Sequence, residues 1–153
     1  LEYTVVRALR EHHLHAATAE SCTGGMIAER LTNVPGASEV FGFGFVTYAE
    51  AAKQKLLGVD AAVIEKYNVV SGPVAAAMAF GAARESGAEL AVGITGLAGP
   101  GGDEFGHSVG TVFIGYQDAA HSDAREYHFS GDREAVRNQT IEAALRLVLE
   151  HQK

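Results

Sequence analysis

Val5, Val6 and Leu9 recur at helical spacing within residues 2–12, and His13–His15 follow as a polar exit, so the chain opens on a short amphipathic helix. The pattern then contracts to LHAATAE, a brief strand of small residues that runs through Ser21-Cys22-Thr23-Gly24-Gly25 into a second helix from about Met26 to Leu31. In FGFGFVTY, ending at Tyr48, aromatic residues alternate with glycine, which predicts a strand with one bare face that admits another backbone or a ligand. AEAAKQKLLG follows as a helix closed by Gly58. Asp60 can cap a further short helix reaching about Tyr67, and Ser71 the one after it, with Pro73 tolerated in its first turn. The alanine-rich continuation over 74–86 suits close helix packing.

ELAVGIT at 89–95 reads as a buried strand, with a glycine-rich loop from Gly96 to Gly106 behind it. VGTVFIGY and AREYHFS are two more strands, joined as a hairpin by a polar turn at Gln117–Asp123. From Asp132 to about His151, Val136, Ile141, Ala144, Leu145, Val148 and Leu149 mark a long amphipathic helix. Five strands and about six helices in mixed order imply an α/β fold, a three-layer α/β/α sandwich. With 153 residues and no repeat, linker or low-complexity tract, the reading is a single domain over 1–153.

Composition narrows the function classes. At 47% hydrophobic and 20% charged the chain is of ordinary globular type. A formal charge of −7 without any Lys/Arg run argues against nucleic acid as a partner. No apolar run suits a membrane span, and residues 1–15 carry charges where a signal peptide is hydrophobic. Cys22 is the only cysteine, so no intramolecular disulfide forms. These features point to the cytoplasm, with the domain alone or as a small homo-oligomer. Glycine is the outlier at 18 residues, and it gathers in loops.

In open α/β sheets ligands bind beyond the carboxyl ends of strands, where loops converge and helix N-termini present donors. Three segments qualify: Glu20–Gly25, Thr47-Tyr48 with the helix behind it, and Thr95–Gly106. Ser21 ends a strand just before glycines that open a helix, a position for a nucleophile beside backbone N–H groups of Thr23 and Gly24. The same Ser21 or Thr23 could simply cap that helix. No histidine falls in the first two loops, so Lys53, one turn beyond Tyr48, is the candidate base, against its reading as a solvated helix lysine. Arg133 and Arg137, one turn apart near the start of the last helix, could grip a phosphate or lie on a solvated face. Asp103 and Glu104 could meet a divalent ion or a ribose hydroxyl, or belong to an ordinary loop. His12, His13 and His15 have no acidic partner at ligand spacing, and no metal site is expected. Cys22 reads as a small buried residue.

Taken in order, AESCTGG at 19–25, GFVTY…AK at 44–53, LLGV at 56–59, VSGPVA at 70–75, GITGLAGPGG at 93–102, VGTV at 109–112 and GDREAVR at 131–137 resemble the CinA C-terminal domain family, nearly end to end. The family also occurs as a stand-alone nicotinamide-nucleotide amidase. The resemblance implies an α/β/α domain with a mixed, mostly parallel five-stranded sheet, and hydrolysis of nicotinamide mononucleotide to nicotinate mononucleotide and ammonia. It implies a serine–lysine pair, matched here by Ser21 and Lys53 with Tyr48 close by. Thr23, Gly24, Gly25, Glu50, Thr95, Gly96, Gly99, Arg133 and Arg137 are then the expected substrate-binding positions. The expected partner is a small-molecule nucleotide, and no metal or organic cofactor is implied.

The chain departs from the family pattern in two places. After the tyrosine the usual Ser-Asn-Glu-Ala-Lys is Ala49-Glu50-Ala51-Ala52-Lys53, and the carboxylate of Glu50 one turn from Lys53 favours the protonated lysine. Later, Asp103 replaces a common glycine, and the frequent Lys-Pro before VGTV is His107-Ser108. These changes favour a second reading, a catalytically weak or inactive nucleotide-binding or regulatory domain of the same fold.

Overall fold

The structure, a computed structural model, describes all of residues 1–153. β1 (Ala16–Glu20), β2 (Phe41–Val46), β3 (Leu90–Gly96), β4 (Thr111–Gln117) and β5 (Ser122–His128) form one sheet in the order β2-β1-β3-β4-β5. β1 pairs in parallel with β2 and β3, β4 is antiparallel to β3, and β5 is antiparallel to β4. Four strands therefore share one direction and β4 alone opposes them, the mixed and mostly parallel sheet expected.

Six α-helices cover the two faces: α1 (Glu2–Glu11), α2 (Met26–Thr32), α3 (Glu50–Leu57), α4 (Ala61–Tyr67), α5 (Gly72–Ser86) and α6 (Arg133–Glu150). The caps are where the polar residues placed them. Asp60 accepts from the Ala62 N–H at 2.9 Å, Ser71 from Val74 and Asp132 from Ala135, each filling an orphan donor of a first turn. A one-turn 3₁₀ segment at Ala37–Glu39 was not foreseen; it follows Gly36, whose φ of +85° turns the chain.

Strand ends differ from the sequence reading for local reasons. β4 begins at Thr111 because Gly110 has a φ of +92°, outside the extended range a strand needs. β5 begins two residues early, at Ser122. The Asp118 carboxylate accepts the N–H groups of Ala120 and His121 and so tightens the turn to 118–121. β2 stops at Val46, which frees Thr47 and Tyr48 for the site.

Alternation along the strands divides the core. Ala16, Leu90, Val92, Ile94, Val112 and Ile114 pack on α1, α2 and α6, whereas Ala17, Ala19 and Ala91 pack on α3, α4 and α5. At two points α5 lies directly against the backbone of the sheet. Gly93 and Gly115 are cross-strand partners, and a Cβ on Gly93 would stand 2.5 Å from the Ala75 carbonyl oxygen and 2.6 Å from the Ala79 nitrogen. A Cβ on Gly115 would collide with the same Ala75 carbonyl, and one on Gly81 with the backbone of Leu57 in α3. Sheet, α5 and α3 thus touch through backbone, which sets their spacing rigidly.

Gly115→Ala should therefore lower stability by about 1–3 kcal/mol, the usual range for overpacking. Gly42→Ala, on the outer strand with open space around its Cα, should stay within about 0.5 kcal/mol of the parent. Urea unfolding midpoints at constant slope measure both.

Candidate active site

β1 lies between β2 and β3; the chain leaves it through α2 on one face and leaves β2 through α3 on the other. The crevice beyond the carboxyl ends of β1 and β2 is the switch point at which such sheets bind ligands. Ser21 is the first residue past β1 and is half-buried. Lys53, in the second turn of α3, is 1% exposed. Its Nζ lies 3.1 Å from Ser21 Oγ and donates to the carbonyl oxygens of Thr47 at 2.6 Å and Tyr48 at 3.2 Å. Burial lowers the Lys53 pKa from its ordinary value, against the nearby Glu50 carboxylate and the Cys22 side chain, which raise it. Desolvation wins. Glu50 is exposed in the first turn of α3, where water weakens its influence.

Ala49, at the N-cap of α3, has no side chain to cap it, so the departure from serine leaves the first turn without that acceptor. The other departures are partners of each other. His107 Nδ1 lies 2.7 Å from Asp103 Oδ2, and Asp103 Oδ1 accepts the N–H groups of Phe105 and His107. Burial raises the Asp103 pKa, but the hydrogen bonds from His107 and Phe105 outweigh it and hold the carboxyl below its ordinary value. These two departures, four residues apart in the chain, are hydrogen-bonded partners in space, and the pair organises the glycine loop. Ser108 Oγ lies 3.3 Å from Thr111 Oγ1.

The turn after Ser21 is held from several directions. The Gly24 N–H donates to the Ser21 carbonyl at 3.0 Å and is engaged within the turn, and Thr23 is wholly buried. The Gly25 N–H has no intramolecular acceptor, and Gly25 is partly accessible. Both glycines have positive φ, +61° and +100°, which a side chain would strain. Arg137 donates from Nε to the Cys22 carbonyl at 3.0 Å and from Nη2 to that of Thr23 at 3.3 Å. It is a brace for the turn, with two of its nitrogens engaged by protein. Cys22 is buried beside it, and burial pushes its thiol up to about 11.

Arg133 is exposed and bridges the crevice, donating to the Gly99 carbonyl at 2.7 Å and to the Tyr48 hydroxyl at 3.4 Å. Tyr48 itself is 65% exposed. Thr95 and Gly96 have packing contacts: the Thr95 hydroxyl donates to the Val69 carbonyl at 2.9 Å, and Gly96 lies against the backbone of Thr111 and Val112. A groove of about 680 Å³ adjoins the site through Glu50 and runs between α3, α4 and the loop bearing Asp103 and Phe105.

One residue of the site escaped the sequence reading. Glu20, 1% exposed, accepts from the Thr23 hydroxyl at 2.6 Å and from the N–H groups of Ile27 at 3.0 Å and Ala28 at 3.1 Å. The sequence reading placed Glu20 at the head of a candidate loop and gave its side chain no role; the signal that could have found it is the capless glycine at 25, which leaves the next helix in need of an acceptor.

The α/β/α domain thus brings a serine and a buried lysine into contact at the switch point of its sheet. The chain belongs to the CinA C-terminal domain family, whose pattern it matches over residues 1–152. It is 45% identical over 148 residues to a putative competence-damage inducible protein of Caldicellulosiruptor bescii, covering 97% of this chain and 36% of that protein. It is 46% identical over 145 residues to a CinA-like protein of Geobacter sulfurreducens, covering 95% and 35%. The chain thus spans about a third of the length of these relatives. A solved CinA superfamily structure from Escherichia coli superposes with a TM-score of 0.94 at 36% identity, covering 97% of this chain and 86% of that one. A competence/damage inducible protein from Agrobacterium tumefaciens superposes at 0.92 with 34% identity, covering 99% and 93%. No helix is long and apolar enough to cross a membrane.

Lys53 gives the fold a pH signature. Its native pKa is depressed, so between that value and the ordinary one near 10.4 the unfolded chain binds a proton that the native chain does not, and stability rises with pH across this window. Lys53→Met should flatten that rise, measured as the difference in urea midpoint between the two proteins from neutral to alkaline pH.

Proposed function

We propose that this domain is an amide hydrolase that converts nicotinamide mononucleotide to nicotinate mononucleotide and ammonia, with Ser21 as nucleophile and Lys53 as base and then acid. The observation that carries the reading is the placement of Lys53 Nζ. The Thr47 and Tyr48 carbonyls fix two of its N–H directions, and the third position is turned to Ser21 Oγ. In the neutral amine that third position is the lone pair, which takes the Ser21 proton as Oγ attacks the carboxamide carbon. The ammonium so formed returns the proton to the leaving nitrogen, ammonia departs, and an acyl ester on Ser21 remains. A water deprotonated by Lys53 then cleaves the ester and releases the carboxylate product. The Gly25 N–H is the available donor of the turn for the tetrahedral oxyanion. Family membership supports the substrate, and Arg133 is the cation within reach for its phosphate, Arg137 being engaged with the turn.

Glu50 favours the second reading, in which the lysine stays an ammonium ion and the domain binds nucleotide with little turnover. Ammonia release from nicotinamide mononucleotide decides between them. On the first reading Ser21→Ala and Lys53→Met lose about 10³-fold or more in kcat while nucleotide binding persists, activity rises with pH on an acidic limb, and Glu50→Asn moves that limb to lower pH. On the second, the parent is nearly inactive and Glu50→Asn restores turnover. An active parent whose Lys53→Met variant keeps its full rate rules out the serine–lysine mechanism.

Phosphate recognition has its own test. Arg133→Ala should raise KM for nicotinamide mononucleotide about tenfold or more and leave the riboside, which lacks the phosphate, unaffected. Equal effects on both substrates would remove Arg133 from that role.

A further inference from the structure

We infer that Glu20 is a positioning residue that sets the distance between Ser21 and Lys53, through its carboxylate on one side of β1 and its carbonyl on the other. This rests on the serine–lysine reading above. Glu20 and Ser21 face opposite sides of the sheet: the Glu20 carboxylate meets N–H groups of α2, and Ser21 Oγ meets Lys53 of α3. A buried carboxylate is unfavourable unless its oxygens are bonded, and here three donors meet it. The N–H groups of Ile27 and Ala28 are orphan donors of α2, whose N-cap is Gly25 with no side chain of its own. Glu20 therefore supplies the missing cap from outside the helix. The Thr23 hydroxyl, on the same carboxylate at 2.6 Å, ties the middle of the turn to that cap.

The other half of the linkage is backbone. The Glu20 carbonyl accepts the Thr47 N–H at 2.9 Å, and the Thr47 carbonyl in turn accepts from Lys53 Nζ at 2.6 Å. A single residue thus joins the turn that carries the nucleophile to the peptide that holds the base. Shifting the turn by a fraction of an ångström changes the 3.1 Å contact between Nζ and Oγ, to which proton transfer is steeply sensitive.

The test compares Thr23→Val, which deletes only the hydroxyl bond, with Thr23→Ser, which keeps it, and with Glu20→Gln, whose amide nitrogen cannot accept. Each is examined for thermal unfolding, kcat and KM on nicotinamide mononucleotide, and the rate at which a fluorophosphonate probe labels Ser21. Thr23→Val and Glu20→Gln should lose about 30-fold to 100-fold in kcat and in labelling rate, per folded molecule and with little change in KM, while Thr23→Ser stays near the parent. Folded Thr23→Val with unchanged kcat and labelling overturns the inference, as does a loss confined to KM or one that only follows the folded fraction. Should Glu20→Gln fail to fold, the two Thr23 variants decide alone. If the parent releases no ammonia, the substrate assignment fails and the probe still reads Ser21: slowed labelling of Thr23→Val upholds the inference, equal labelling or an unlabelled parent overturns it.

Discussion

Backbone contact between the sheet, α5 and α3 is the constraint from which the site follows. A helix seated on ordinary side chains can shift as those side chains repack, whereas one seated on Gly93 and Gly115 rests on peptide groups that cannot. Gly81 repeats the arrangement one layer out, bringing the end of α3 against α5. Lys53 is carried on α3, so its depth relative to β1 is set by these contacts as much as by its own bonds. The lysine's burial is a local cost in folding that the dense packing of small residues around α5 offsets.

The two sides of the Ser21 turn are held by opposite charges. Glu20 reaches its hydroxyl and amide donors from beneath, and Arg137 reaches its carbonyls from α6. Each ionic group is bonded to the polarity it complements, and the turn keeps one conformation without a side-chain cap of its own. Lys53 is held differently. Neutral carbonyls surround it, so desolvation acts on it without a compensating contact to a carboxylate, and the exposed Glu50 acts only from a distance.

Elements with a strong local cause were legible in the sequence. Asp60, Ser71 and Asp132 begin their helices because a side-chain oxygen three or fewer residues from an orphan N–H needs no tertiary partner. Ser21 and Lys53 were marked by loop position and helix spacing and again by the family motifs, and the structure puts their side chains 3.1 Å apart, while Tyr48 meets Lys53 through its carbonyl and leaves its ring exposed. What remained hidden depends on contacts distant in sequence. The period of α6 puts Arg133 and Arg137 on one face, yet only the fold sends one across the crevice to Gly99 and Tyr48 and the other to Cys22 and Thr23. The Glu20 side chain received no role, because nothing local announces that an acid at that position is enclosed. The pairing of Asp103 with His107 was hidden too, since each was weighed singly against the family pattern.

β2 bears on how the protein behaves in solution. It is one of the two edge strands, and over Phe41–Val46 it has no charge, no proline and two glycines, with Phe43 and Val46 each 52% exposed. Edge strands are commonly blunted by such charges or prolines against pairing with another chain; this one is not. Repulsion between copies then comes from the net charge of −7 on the molecule as a whole. That repulsion is screened beyond about 8 Å at physiological ionic strength and fades as the carboxylates protonate. Colloidal stability is thus governed by salt and acidity, over a strand edge whose readiness to associate changes with neither.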